Sequence, residues 1–576
     1  LQKQENKEGS KTRGEKPGLT EYERVMKALH PLTGGKILSR IMEHKNPAKL
    51  VRSLSSGDFF WLLKKVGEED CLTLLELASE AQWEYLLDLE IWRKDRLDKA
   101  RTSAWIKRLQ QADPGRLVRW FLGQGEALAS THLFKSMEVI VVDKDDEAYN
   151  LPEGFFSLDG VFHIRVTDSE HRETIENILR EMARTDNVRY QAFLTGLAGL
   201  LPAEMEEEMF RFRNVRLAEH GFLPSEEAIS VYAPLDPSAL RPEKSEGLPD
   251  ILEDEETRAM VPALPLYHTE TENILTRAVF EIEDPVLMDK IRLEFAGLCN
   301  QVMSADGLMV PELDVLVSTC QKVARVLNLA LERLCGKDLS KAQQAMGTHS
   351  FVDLFRVGFG LTLKLKWEAE RWLKESWFFG QGLDTDFWEE PWGGTLAGLL
   401  DKRPQHYRGL TGKEAYKDFE WLSELGKSLE DLRRLMVLDG LIERLAATYP
   451  TDDELMGSPE LTFLPLLFNP WSRILLDFEP SFSGITVEQA KTLFRRLRTG
   501  SEKPPFEMEG FEEIFVKDLM SYASGADPEA TSILKDTLSY IWHEFREEYE
   551  WVLLDDLDAR YSKFISILPS PGVAPQ

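Results

Sequence analysis

Pro47-Ala48-Lys49-Leu50-Val51, Phe59-Phe60-Trp61-Leu62-Leu63, Cys71-Leu72-Thr73-Leu74-Leu75 and Trp83-Glu84-Tyr85-Leu86-Leu87 are apolar cassettes that begin twelve residues apart. Polar breaks separate them: Ser55-Ser56-Gly57-Asp58, Gly67-Glu68-Glu69-Asp70 and Ser79-Glu80-Ala81-Gln82. One period fits a helix of about eight residues and a turn of about four. Isolated helices shorter than about 12–15 residues are marginal in water. Roughly four buried apolar side chains contribute about 1.5–3 kcal/mol each. Backbone ordering opposes this with about 1–2 kcal/mol per residue. No unit can stand alone, so neighbours must share their apolar faces, as repeat architectures do. Ser56 or Asp58 is placed to cap the second helix and Asp70 the third. The beat fades after Leu89.

Outward from this stack, the 576 residues read as two or three domains. The expected fold is mainly α: an α-solenoid-like N-terminal stack of short helices, a small antiparallel β-hairpin insertion, and a second, larger α-helical domain. Residues 1–20 are Lys/Glu/Gly-rich and read as a disordered tail. Short-helix repeats follow over 21–135. The β-branched run Met137–Val142 and the Asp159-Gly160 turn between apolar runs place the hairpin in 136–168. Helices continue over 169–233. Prolines and Glu253-Asp254-Glu255-Glu256 mark a linker at 234–268. A second helical domain spans 269–450 and contains Trp367, Trp372, Trp377, Trp388 and Trp392. Residues 451–484 read as an irregular break, 485–562 as a C-terminal helical block, and 563–576 as a disordered tail.

Formal net charge is −30, from 99 acidic and 69 basic side chains. A field of that sign repels phosphate backbones and anionic membranes, so nucleic acid is not an expected partner. It serves solubility, with a basic partner or cation binding as the sharper alternative. Cys71, Cys299, Cys320 and Cys335 are sparse and lie in apolar contexts, which fits buried thiols in a reducing compartment. No apolar run has the length of a bilayer span, and the N-terminal residues lack a signal-peptide h-region. The expectation is a cytoplasmic protein without membrane insertion. Leu1 in place of Met fits a truncated sequence or a translated alternative start codon.

Two segments stand out as candidate binding sites. In Leu201–Gly221, Met205, Met209 and Phe212 form a helical stripe, and Arg216 falls on it. An arginine there must be paired or reach solvent. Arg211, Arg213 and Arg216, with Glu204, Glu208 and His220, could form an anion or peptide site. In Asp88–Arg96, Trp92 beside Arg93, Asp95 and Arg96 has the composition of an interface anchor. The default reading of each is structural, a salt-bridged helix in the first case and the internal closure of a helical stack in the second.

No catalytic or metal site is assigned, and no cofactor. His543 and Glu547 lie four apart, but a zincin motif needs two histidines. Cys320, Cys335 and His349 lack the close cysteine pairs of structural zinc. Asp143-Lys144-Asp145-Asp146-Glu147 resembles the start of a calcium loop, but Ala148 and Gly154 stand at the glycine and closing-Glu positions. Gly358-Phe359-Gly360 and Gly393-Gly394 lack the spacing of a phosphate loop.

Leu87–Asp98, Leu201–Phe222 and Arg403-Pro404-Gln405-His406-Tyr407-Arg408-Gly409-Leu410 together resemble an uncharacterised bacterial family of unknown function. That resemblance spans about residues 35–560 and implies a bacterial source, without an activity or catalytic residues. Residues 47–89 are also similar to the short helical repeats of the magnesium-transporter cytoplasmic N domain; no transmembrane segments follow here, so transport is not implied. The leading expectation is a non-enzymatic scaffold or adaptor that binds protein partners through its helical surface. The alternatives are an enzyme or anion sensor built on the Arg/Glu cluster at 204–220, and divalent-cation sensing by the acidic surface.

Overall fold

The computed structural model describes residues 21–141, 153–197, 201–242, 261–269, 271–308, 312–409, 415–449, 461–500, 503–523, 527–558 and 563–568. Among the described residues the fold is mainly α-helical, with one small three-stranded sheet and a few two-stranded pairs. The chain divides into two compact units, Leu1–Gly358 and Phe359–Gln576. The division falls inside the helix Phe351–Glu375 rather than in the proline-rich segment 234–268. The expected tail 1–20 and the calcium-like run 143–147 lie outside the described residues.

Each N-terminal cassette starts or lies in its own helix, and these helices alternate short and long: Pro47–Arg52, Ser56–Val66, Leu72–Leu77 and Glu80–Glu90. Side chains tie them together across the turns. Gln82 completes a capping box with Ser79 and also donates to the carbonyls of Val51 and Leu54, each at 2.8 Å. Trp83 donates to the Leu75 carbonyl at 2.9 Å. Arg116 stacks on Trp83 and donates to the carbonyls of Leu75 and Glu76, where cations suit the negative helix end. These are the shared contacts that such short helices require.

The caps differ from expectation. Ser55, not Ser56 or Asp58, accepts from the Asp58 N–H to start the second helix. The third begins at Cys71 without a side-chain cap, and Asp70 stays outside it. Asp58 is fully buried and caps a distant helix instead, accepting from the N–H groups of Ala263 and Leu264 at 2.8 Å each. Tyr22 donates to the same carboxylate. The end of the expected linker is therefore docked on the N-terminal helices, because two orphan N–H groups at the start of Leu264–Tyr267 need an acceptor.

The hairpin insertion is a three-stranded antiparallel sheet with Phe162–Val166 in the centre. Met137–Val141 pairs along one edge, from Met137↔Val166 to Val141↔Phe162, and Phe156–Ser157 along the other. Gly160 sits at the turn with φ +75°, a conformation that costs other residues more. Asp159 fixes the turn by accepting from the N–H groups of Val161 and Phe162.

The second unit has an aromatic core. Phe468 stacks on Phe515 at 4.6 Å and on Phe545 at 4.7 Å, and Trp471 meets Trp542 at 5.5 Å. Two readings of the sequence are corrected here. The supposed break 451–484 contains a buried helix, Phe463–Leu475. Pro465 falls in its first turn, where no N–H partner is needed, and Pro470 removes a single interior bond. The supposed tail is ordered over 563–568: Ile567–Leu568 pairs in parallel with Ile485–Thr486, and Phe564 is buried against Phe468 and Phe545. Truncation of such an enclosed ring typically costs about 3–5 kcal/mol, so Phe564→Ala is expected to lower the stability of the second unit by that amount in denaturant melts. A loss of under about 0.5 kcal/mol, the range of ordinary surface substitutions, would contradict the placement of this strand in the core.

Candidate functional site

The two segments singled out in the sequence meet. Helix Glu80–Glu90 ends at Ile91 and gives way to a tight hairpin in which Trp92 pairs with Leu97 and Arg93 with Arg96. Lys94 carries the turn at φ 59°. The turn carries Arg93, Asp95 and Arg96 out to solvent, whereas Trp92 is buried. Helix Pro202–Glu219 lies across this corner in the first unit. Its inward positions are Glu206, Phe210, Arg213 and Leu217, spaced three and four apart.

Arg216 makes a bidentate pair with Asp88, both N–H···O distances being 2.8 Å, and lies 3.4 Å from Glu84. The partners are 128 positions apart. Arg213 donates to the Asp88 backbone carbonyl at 2.6 Å and rests over the rings of Trp92 and Phe210. Glu206 accepts from the Leu97 N–H at 2.6 Å and pairs with Lys135 at 2.9 Å, clamping the hairpin from the other side. His220 ends the helix edge-on to Tyr85, and its carbonyl accepts from Asn300. Glu204, Glu208 and Arg211 face solvent, with Arg211 4.0 Å from Glu208.

Burial raises the Asp88 carboxyl above its ordinary range, and the Arg216 hydrogen bonds pull it back. Burial raises Glu84 too. Burial pushes Arg213 down to about 10, the Asp88 charge opposing it. Burial works against the charge on Arg216, but Asp88 more than offsets this and holds it above its usual value. The series Arg211, Arg213 and Arg216 therefore does not converge on a ligand position. Two of its members are struts between helices and the third is a surface cation. Burial lowers His220.

Beside these struts lies a cleft of about 140 Å³, comparable to the ≈ 150 Å³ cavity that takes benzene. Trp120, Leu128, Met209 and Phe212 line it, and Glu84 and Arg216 supply polar lining. Gly125 helps to shape it: a Cβ there would lie 2.6 Å from the Trp120 ring. Phe212 is 49 % exposed although it lines the cleft. Apolar walls with a few polar groups are the lining of binding pockets. Among the described residues, no three His, Cys, Asp or Glu side chains are grouped to hold a metal ion, and no helix is long and apolar enough to cross a membrane.

A family model matches residues 15–567. The chain belongs to the DUF6178 family of unknown function. All three segments quoted above fall within the span matched by DUF6178. No curated protein matches the chain, and no solved structure does. The likeness of 47–89 to the magnesium-transporter domain thus has no counterpart among these matches. The sequence pointed to Arg216 as needing a partner, but nothing local marked Asp88 as that partner, nor Trp120 as the facing wall.

The strut can be tested by a double-mutant cycle. Arg216→Met leaves Asp88 buried without its partner and is expected to cost about 2–4 kcal/mol, less than a fully enclosed pair because Arg216 is partly solvated. Asp88→Leu combined with Arg216→Met is expected to be less destabilised than the sum of the single changes, with a coupling of about 1–3 kcal/mol in denaturant melts. Additive changes would show that the two side chains do not depend on each other.

Proposed function

We propose that the chain is a non-enzymatic adaptor whose first unit holds a protein partner at the cleft between helices Glu80–Glu90 and Pro202–Glu219. The observation that carries this reading is the state of the second helix. Of its eighteen residues, only Arg213 and Leu217 are buried, while Leu201 just before it, Phe212 and Val215 are exposed. A solvent-facing apolar surface beside a preformed aromatic cleft is a feature of interaction sites.

The charge around the cleft defines the partner. Glu204, Glu207, Glu208 and Glu219 are exposed on the same helix, against Arg211, and the whole chain carries −30. The partner of fitting chemistry is a basic amphipathic helix. One large apolar side chain enters between Trp120, Met209 and Phe212, and its lysines or arginines meet the glutamates. The anion-sensor alternative is disfavoured by the internal pairing of Arg213 and Arg216.

A photo-crosslinking residue at Phe212 in the native host tests the proposal, with Val188 as the exposed control. The expected result is a discrete crosslinked protein at 212. It is absent at 188, lost when Met209→Glu is added, and competed by a synthetic Leu/Lys amphipathic peptide. Equal labelling at both positions, or labelling indifferent to Met209→Glu and to the peptide, would overturn it.

A further inference from the structure

The cleft of the first unit has two unlike ends. Helix Glu80–Glu90 and the residue that follows it contribute Glu84, Leu87, Asp88 and Ile91 to the lining, the spacing of one helical face. Helix Pro202–Glu219 contributes Met209, Phe212 and Arg216, three and four apart. Arg216 meets Glu84 and Asp88, whereas Phe210, next to Met209, packs on Trp92. The two faces therefore run past each other in opposite directions. The end at Glu84 and Arg216 is polar, and the end at Ile91, Trp92 and Met209 is apolar. At the helical rise per residue these ends lie about 10 Å apart.

The polar end has acceptor capacity to spare. Asp88 gives both of its oxygens to Arg216. Glu84 has an ion-pair contact with Arg216 at 3.4 Å and accepts no hydrogen bond among the described residues. A carboxylate offers about four acceptor sites. The Glu84 side chain is 31 % exposed, so a ligand in the cleft can reach it. A cationic donor would meet the Arg216 charge beside it, and an anion would meet Glu84 and Asp88. A neutral O–H donor suits the position. The apolar end selects shape. Trp92 lies under the Arg213 guanidinium, and Trp120 lies close against Gly125. The space, about 140 Å³, is that of one six-membered ring. Aromatic rings in contact gain more than their buried area alone provides.

We infer that the cleft takes a phenol ring, the side chain of a tyrosine central to the partner's helix, with its ring between Trp120, Met209 and Phe212 and its hydroxyl donating to Glu84. The inference rests on the adaptor reading and narrows the partner's large apolar side chain to one residue type. A phenol is neutral at pH 7, and its O–H bonds strongly to a carboxylate. Tyrosine combines an apolar body with a polar tip, as the cleft combines an apolar end with a polar one. Phenylalanine would leave the Glu84 acceptors unused. Lysine would set a cation beside Arg216, and tryptophan carries a second fused ring that the volume does not hold.

The test is calorimetric titration of the full chain at pH 7 with p-cresol, toluene and butylamine, the free side chains of tyrosine, phenylalanine and lysine. p-Cresol is expected to bind about tenfold or more tighter than toluene, the effect of one hydrogen bond to a charged acceptor. Butylamine is not expected to bind. Glu84→Met is expected to bring p-cresol down to the level of toluene and to leave toluene unchanged, a pattern that a distorted cleft would not give. Phe212→Ala, at a half-exposed ring, is expected to weaken both. Equal binding of p-cresol and toluene, tighter binding of butylamine, or a p-cresol preference that survives Glu84→Met would overturn the inference. p-Cresol binding without a crosslinked protein at 212 sinks the adaptor reading and leaves the phenol site standing. A crosslink without a p-cresol preference sinks the phenol site and leaves the adaptor.

Discussion

The bidentate pair between Asp88 and Arg216 is the interaction on which the first unit's candidate site depends. It joins the last turn of one short helix to the last turn of a long one. Both charges are partly removed from water, so each stabilises the structure only in the presence of the other. Arg213 adds a bond to the Asp88 backbone and a face against Trp92. The hairpin at 92–97 is thereby pinned between an arginine on one side and Glu206 on the other. The cleft exists because these polar struts hold two apolar surfaces near each other without letting them close.

The same economy of partners runs through the N-terminal helices. Gln82, Trp83 and Arg116 each bond to backbone carbonyls of a neighbouring short helix or turn. None of these helices could retain its shape alone, given the cost of nucleation. Their stability is a property of the set, which explains why the cassettes recur before any single one is long enough to fold.

The features legible in the sequence were those set by neighbours in the chain. The cassettes, the Asp159-Gly160 turn and the need of Arg216 for a partner all follow from local spacing. What escaped was decided at a distance. Asp58 looked like a local cap, yet it is taken by N–H groups some two hundred positions away. Pro465 and Pro470 suggested a break because their helix is stabilised by an aromatic core that no local pattern reveals. Residues 563–568 read as a frayed end because a parallel pairing with 485–486 leaves no trace in either segment. In the candidate site, the arginine was visible but its carboxylate was not, and the apolar stripe that includes Phe212 gave no sign that this ring stays half exposed.

Hydrogen exchange followed by mass spectrometry in the Arg216→Met variant tests the central claim most directly. If the pair couples the two elements, protection falls together in 80–97 and in 202–219, while the second unit keeps its native pattern. Faster exchange confined to 202–219, with 80–97 unchanged, would show that the helix and the hairpin hold their places independently and that the cleft is not built by this ion pair.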